Sequence, residues 1–273
     1  MYILMVIVAV LTVLVFVGWL GLQVQPTPFP DYPQTTATPL KTVPLRAGLP
    51  KPVDRFFRQT YGDRVPLIET AVLTGRATIR PVGSVNLPAR YRFTHVAGKG
   101  YRHYIEACWF GMPFLKINES YLDGNSLIDI PIIGTDSGPK VEQAANLGMW
   151  AESWQLPELL VTDPRVRWEP IDDDSAMMIV PFKDGKEDRF LVRFDPESGQ
   201  QTWTESMRYQ KSNSADKTLW MTHADTYGVL GGYKLNTIGS VTWMSDGKPW
   251  ATFKLEDVSY NVDVASYVRS RGL

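Results

Sequence analysis

Three consecutive carboxylates, Asp172, Asp173 and Asp174, stand directly before an apolar run in "RVRWEPIDDDSAMMIV". Such a grouping could bind a cation or move a proton. A calcium loop needs further oxygen ligands at alternating positions and a closing glutamate, and "DDDSAMM" supplies neither. Aspartate is also a favoured turn residue, because its side chain accepts hydrogen bonds from nearby backbone and tolerates unusual φ. With β-like sequence on both sides, the trio reads first as a turn between strands and only second as an ion site.

The other candidates for chemistry are three histidines, His95, His103 and His223, one cysteine, Cys108, and the carboxylate of Glu152. If Gly98-Lys99 is a two-residue hairpin turn, His95 faces Arg102 and His103 faces Thr94, so the two histidines point to opposite sides of a sheet. That register speaks against a zinc site, and no metal is expected. It also puts Tyr91, Phe93 and His95 on one face with Arg102, Tyr104 and Glu106. Such a mixed surface could line a ligand cavity or simply meet solvent. Glu152 falls on a helical face with Val141, Ala145 and Gly148, where an unpaired charge would be costly. The expectation is an ion pair to Arg90, Arg92 or Arg102, with a ligand-facing or catalytic carboxylate as the alternative. Trp150 and Trp154 flank it and read as core or interface. No Gly-x-Ser-x-Gly elbow, phosphate loop or dinucleotide fingerprint occurs. We therefore expect no catalytic residues, no cofactor and no enzyme.

Elements must hold these residues. Tyr2 to Val24 contains no charged side chain, and about 20 such residues suffice to cross a hydrocarbon core about 30 Å thick. It reads as a single membrane-spanning anchor with Trp19 near one interface. A cleaved signal peptide would want a basic start, a shorter apolar stretch and a small-x-small site. From Gln25 to Pro52 the chain carries eight prolines, which favour extended backbone. This stretch, taken as residues 25–53, is expected to be a stalk, either a disordered linker or an arm laid along a partner. Beyond it, residues 54–273 form one domain. Asp54 should cap a short helix to Tyr61. Thereafter β-like segments alternate with turn dipeptides such as Asp123-Gly124, Asp184-Gly185 and Asp246-Gly247, which implies an antiparallel meander.

One segment breaks the pattern. Capped by Asp136 or Ser137 and with Pro139 in its first turn, a helix should run to about Gln155, and Pro157 should start a second short piece. Strands are expected on both sides of it, down to Trp250–Asn261. The fold class is thus mainly β: a long, curved antiparallel sheet of ten or more strands, half-barrel-like, with a helical insertion covering its concave face and one transmembrane helix in front. A net charge of −1 argues against nucleic-acid binding.

"GLPKPVDRFFRQTYGDRVPLIETAVLTGRATIR", "SGPKVEQAANLGMWAESWQLPELLV" and "VRWEPIDDDSAMMIV" resemble, in that order, a family of bacterial membrane-tethered proteins of unknown function. The resemblance runs from Gly48 to the C-terminus. It implies one membrane span followed by a β-rich domain and carries no catalytic residues. The element order is also similar to the half-barrel of LolA/LolB lipoprotein carriers, which cradle acyl chains under a helical lid; this is analogy alone.

Two functions remain open, with a membrane-anchored hydrolase a distant third. The preferred one is a non-catalytic accessory subunit of a larger membrane complex, contacting it through span and stalk, with bioenergetic or photosynthetic assemblies as the guess. The alternative is a tethered domain that binds a lipid or other apolar ligand inside the sheet. Lys41 to Arg58 favour a cytoplasmic domain only weakly; the reading adopted is a single-pass inner-membrane protein with a periplasmic domain.

Overall fold

The computed structural model describes residues 1–36, 39–81, 83–131 and 133–273. Residues 37 and 38 of the expected stalk, and residue 132 in the β-like segment "NSLIDIPII", lie outside the described residues. The chain begins with helix α1 (Tyr2–Gln23), then strand β1 (Thr42–Pro44), helix α2 (Lys51–Tyr61) and strand β2 (Arg64–Pro66), which pairs with β1. Six strands follow: β3 (Thr70–Ile79), β4 (Leu87–Val96), β5 (Gly100–Trp109), β6 (Met112–Leu122), β7 (Asn125–Ile130) and β8 (Gly134–Ser137). Helix α3 (Pro139–Glu152), a tight turn at Ser153–Gln155 and helix α4 (Leu159–Thr162) lead to seven more: β9 (Arg167–Pro170), β10 (Ser175–Pro181), β11 (Glu187–Phe194), β12 (Gln201–Arg208), β13 (Thr218–Leu230), β14 (Tyr233–Trp243) and β15 (Pro249–Tyr260).

Strands β3 to β15 make one antiparallel sheet of 13 strands, in the order β8-β7-β6-β5-β4-β3-β15-β14-β13-β12-β11-β10-β9. It is two meanders joined where β3 pairs with β15. The consequence is geometric. β8 and β9 are the two edges of the sheet, and α3 and α4 are the connection between them. A flat sheet of this size would be about 58 Å wide, whereas α3 is about 21 Å long. The sheet therefore curls around α3, which touches β6, β7 and β8 from one half and β12 from the other. Every residue from Val141 to Ala151 is buried, the mark of a helix enclosed on all sides rather than laid on a surface. Register shifts in β13–β14 and β14–β15, and between β15 and β3 at Leu255/Asp257, supply local bends.

The mainly β class, the long antiparallel sheet and the helical insertion are as the sequence implies. Several details differ. α3 is preceded by Gly138 at φ 104 without a side-chain cap; Asp136 and Ser137 belong to β8, and Asp136 accepts instead from the Ser212 amide at 3.1 Å. α2 starts at Lys51, and Asp54 lies in its first turn, paired with Arg58 at 2.7 Å, rather than capping it. β14 begins at Tyr233, where Gly231 and Gly232, both at positive φ, close a tight hairpin from β13. The aspartate trio is a turn: Asp172 accepts from the Asp174 amide and the Ser175 hydroxyl, at 3.0 and 2.8 Å. Its neighbours tie the turn to α2, Asp173 through Lys51 at 2.9 Å and Asp174 through Arg55 at 2.8 Å.

The first part of the proline-rich segment, Thr27 to Tyr32, lies along its own domain, on the outer face of the sheet. Phe29 is buried against Tyr104, with the Arg90 guanidinium 4.4 Å above its ring. Arg90 donates to the Thr27 carbonyl at 3.0 Å, Arg92 donates to that of Pro30, and Tyr32 donates to that of Asp263 at 2.7 Å.

Gly75 in β3 shows how tightly the two meanders join: a Cβ there would sit 2.0 Å from the Lys254 carbonyl oxygen of β15. Backbone cannot yield to it locally, so Gly75→Ala should destabilise the domain by at least about 1–3 kcal/mol. A urea titration in which this variant unfolds with the wild-type midpoint would contradict the close approach.

Candidate functional site

The β4–β5 hairpin decides what the site contains. Its loop is three residues, Ala97 to Lys99, with Gly98 at φ 62 and the Lys99 amide bonded to the Val96 carbonyl at 3.0 Å. A two-residue turn was expected. The extra residue slides the register by one, so that Phe93 faces His103 and His95 faces Tyr101. A slip of one moves side chains to the other face. His95 and His103, expected on opposite sides, therefore share the concave face with Tyr91, Phe93 and Tyr101. Arg92, Arg102, Tyr104 and Glu106 point outward under the arm and the C-terminal tail.

None of the three nominated arginines meets Glu152. Arg90 pairs with Glu106 at 2.7 Å, and Glu106 also accepts from the Tyr104 hydroxyl at 2.6 Å. Arg102, 2% exposed, donates to the Gly272 carbonyl and stacks on Tyr267 at 4.7 Å. The partners of Glu152 are the histidines: its Oε2 lies 2.8 Å from His103 Nε2 and 3.1 Å from His95 Nε2. His103 is clasped between the rings of Phe93 and Tyr101, with centroids 3.9 and 4.0 Å away, and its Nδ1 lies 3.9 Å from Glu119 of β6. Glu119 in turn accepts from the Tyr101 hydroxyl.

Burial would lower the pKa of His103, but Glu152 and Glu119 outweigh it and push it up to about 9. Burial would likewise raise Glu152, yet His103 and His95 hold it down at about 2. Glu119 is lowered in the same way, against the effect of burial, by His103, Arg208 and Tyr101. Arg208 of β12 is itself lowered by burial and supported by Glu119; its guanidinium lies 4.4 Å over the Trp220 ring. Two carboxylates thus face one imidazolium and one guanidinium, and charge balances within this cluster. The donor atoms of His95, His103 and Glu152 lie within 4.8 Å of one another, and two imidazoles with a carboxylate could hold a small divalent cation. With His103 charged, its Nε2 donates to Glu152 and the three side chains form a charge network.

Glu152 keeps 29% of its side chain exposed, because it borders a cleft between the C-terminal end of α3 and strands β13 to β15. The cleft holds about 130 Å³ of free space. Its walls are mainly apolar, including Phe93, Trp154, Trp220, Val241, Phe253 and Leu255, and Gln155, Gln201, His223 and Asn236 add polar groups. Trp154 is anchored by its Nε1 bond to Thr204 Oγ1 at 3.2 Å. Trp150 is fully buried on the other side of the helix and does not reach the cleft. His223, its ring tilted against that of Trp203 with centroids 4.1 Å apart and bonded to Asp225 at 2.7 Å, belongs to the cleft and not to the histidine pair. Glu119, Arg208 and Asn236 carry no spacing signal in the sequence. The histidine pairing could have been found by allowing a three-residue hairpin.

Fold and site define a β-sheet domain with an enclosed helix and an apolar cleft, behind a helix long and apolar enough to cross a membrane. Residues 41–255 match the model of a family of unknown function, DUF6544, and the chain belongs to that family. This confirms the family resemblance read from the sequence. No protein of curated function matches it. Solved structures with a similar fold include a LolA superfamily protein from Nitrosomonas europaea, 9% identical, with a TM-score of 0.46 over 81% of this chain and 96% of that one. Another is a DUF1329 family protein from Desulfovibrio piger, 11% identical, TM-score 0.44, covering 74% and 90%. A third is a domain described as an outer membrane lipoprotein-sorting protein, from Vibrio parahaemolyticus, 11% identical, TM-score 0.41, covering 72% and 88%. All three likenesses are loose.

The charge network makes stability depend on pH. A histidine whose pKa is raised on folding contributes fully below its unfolded value, about 6.5, and loses that contribution as pH rises through its folded value. For His103 the window runs up to about 9, and a difference of this size is worth about 3 kcal/mol. The melting temperature should fall between these limits, and His103→Gln should flatten the decline. Glu152 has the opposite sense: its contribution is complete above about 4.5 and is lost as pH falls through about 2. At neutral pH, Glu152→Gln should cost about 3 kcal/mol, since it leaves a buried imidazolium short of one partner. An unchanged melt would remove the carboxylate from any structural role.

Proposed function

We propose that this protein is a membrane-anchored, extracytoplasmic domain that takes an apolar ligand, such as the acyl portion of a lipid, into the cleft beside Glu152. The observation that carries this reading is the cleft itself: an apolar-walled opening in the concave face with a few convergent polar groups at its border, the usual make-up of a small-molecule site. Its free volume of about 130 Å³ is below the range of roughly 300–1,000 Å³ typical of whole-ligand pockets. Entry of a full chain would therefore require the Ser153–Gln155 turn, which lies over the cleft, to move outward. A retained anchor, rather than a cleaved leader, is supported by two hydrogen bonds that the domain makes to the end of α1, Trp109 Nε1 to the Gly18 carbonyl at 3.0 Å and the Phe110 amide to that of Gly21 at 2.9 Å.

The accessory-subunit reading has less to draw on, because the arm that would have gripped a partner is used on the domain's own outer face. Native mass spectrometry of the full chain in mild detergent separates the two. The expected result is a single chain carrying a lipid-sized adduct that is lost in Ala224→Phe, a substitution that fills the cleft from β13. Co-purification with other protein chains and no adduct would instead favour the subunit.

A further inference from the structure

At the end of the sheet where α1 leaves the domain, the β5–β6 hairpin carries the sequence Trp109-Phe110-Gly111-Met112-Pro113-Phe114. Four of these residues are large, apolar and exposed: Trp109 to 46%, Phe110 to 44%, Met112 to 70% and Phe114 to 56%. Val85, in the neighbouring β3–β4 loop, is exposed to 53% at the same end. The turn itself is unusual. Trp109 faces Met112, so Phe110 and Gly111 are the two turn residues, at φ 50 and φ 74. A hairpin turning in water takes asparagine or aspartate followed by glycine there, as Asp123-Gly124 does in the next hairpin of this sheet. A phenylalanine in the left-handed region is strained and is held only where its surroundings over-determine it.

Those surroundings are the last turns of α1. The Phe110 amide and the Trp109 indole bond to helix carbonyls, and both rings pack on Gly21, where a Cβ would lie 2.3 Å from Trp109 Nε1. The contact also fixes a depth. α1 is 22 residues long, about 33 Å, against a hydrocarbon thickness of about 30 Å. Gly18 and Gly21 lie within the last two turns, beside Trp19, so the tip stands at the level where a centred helix would leave the hydrocarbon. Tryptophan and other aromatic rings favour that boundary.

We infer that the hairpin tip, Trp109 to Phe114, is a membrane-seating wedge whose partner is the boundary between lipid headgroups and acyl chains around α1. This rests on α1 spanning a membrane, as proposed above. The wedge gives the domain a second point of attachment beside its anchor and so sets the tilt at which the cleft is held over the bilayer.

The test uses the full chain in vesicles of phosphatidylethanolamine and phosphatidylglycerol. A nitroxide is placed on Met112→Cys and, as a reference at the opposite end of the sheet, on Val229→Cys, which is exposed to 77% in the wild type. Cys108 is buried and is replaced by serine in both variants. The label at position 112 should collide several-fold more with oxygen than with a water-soluble nickel chelate, relative to the label at position 229. Carbonate washing distinguishes the two ideas. A chain washed off the vesicles overturns the anchor and the wedge with it. A chain that stays bound, with position 112 as open to nickel as position 229, overturns the wedge alone.

Discussion

A helix enclosed on nearly every side leaves a charge few partners, and α3 carries a carboxylate at its last residue. Glu152 can be tolerated there only because β4 and β5 present two histidines to it, and because Glu119, Tyr101 and Arg208 complete the set. His95 and His103 hold the central helix to one half of the sheet. Asn146 and Gln143 hold it to the other half through Asp188 of β11, at 2.9 and 2.8 Å. With these two attachments α3 is a strut between the meanders, which among the described residues pair directly through β3 and β15 alone.

The sheet uses its two faces for different tasks. The concave face holds α2, α3 and α4, an aromatic cluster around Phe56, Trp154 and Phe194, and the cleft. The outer face carries the charged residues Arg90, Arg92, Arg102 and Glu106, which would be costly to bury without partners. The N-terminal arm and the C-terminal tail supply those partners with backbone carbonyls and aromatic rings. A proline-rich arm suits this role: its extended backbone leaves carbonyls unpaired along its length, and arginines are the side chains best able to take them up.

Much of the fold could be read locally. The apolar Tyr2–Gln23 helix, the run of short strands with glycine-containing turns, the single helical insertion begun by Pro139 and the aspartate turn before Ala176 all depend on neighbours a few residues apart. The site was less legible. Asp54, Asp136 and Ser137 looked like helix caps by residue type, but α2 begins earlier at Lys51 and the other two are consumed by β8. The choice between a two- and a three-residue β4–β5 hairpin hung on whether Ala97 belongs to the strand or the loop, and that one position reassigned every side chain of β5.

What the sequence determined by itself was therefore the class: a mainly β domain behind an apolar helix, with one helix interrupting its strands. Periodicity and turn chemistry are enough for that because they act over a few residues. Only the tertiary structure decided which charged groups meet. Glu152 could have paired with any of three arginines on electrostatic grounds, and it pairs with His95 and His103 because register sends the arginines to the outer face. Register, and the curl that brings α3 against both halves of the sheet, are set by contacts between residues far apart in the chain. No local pattern encodes them.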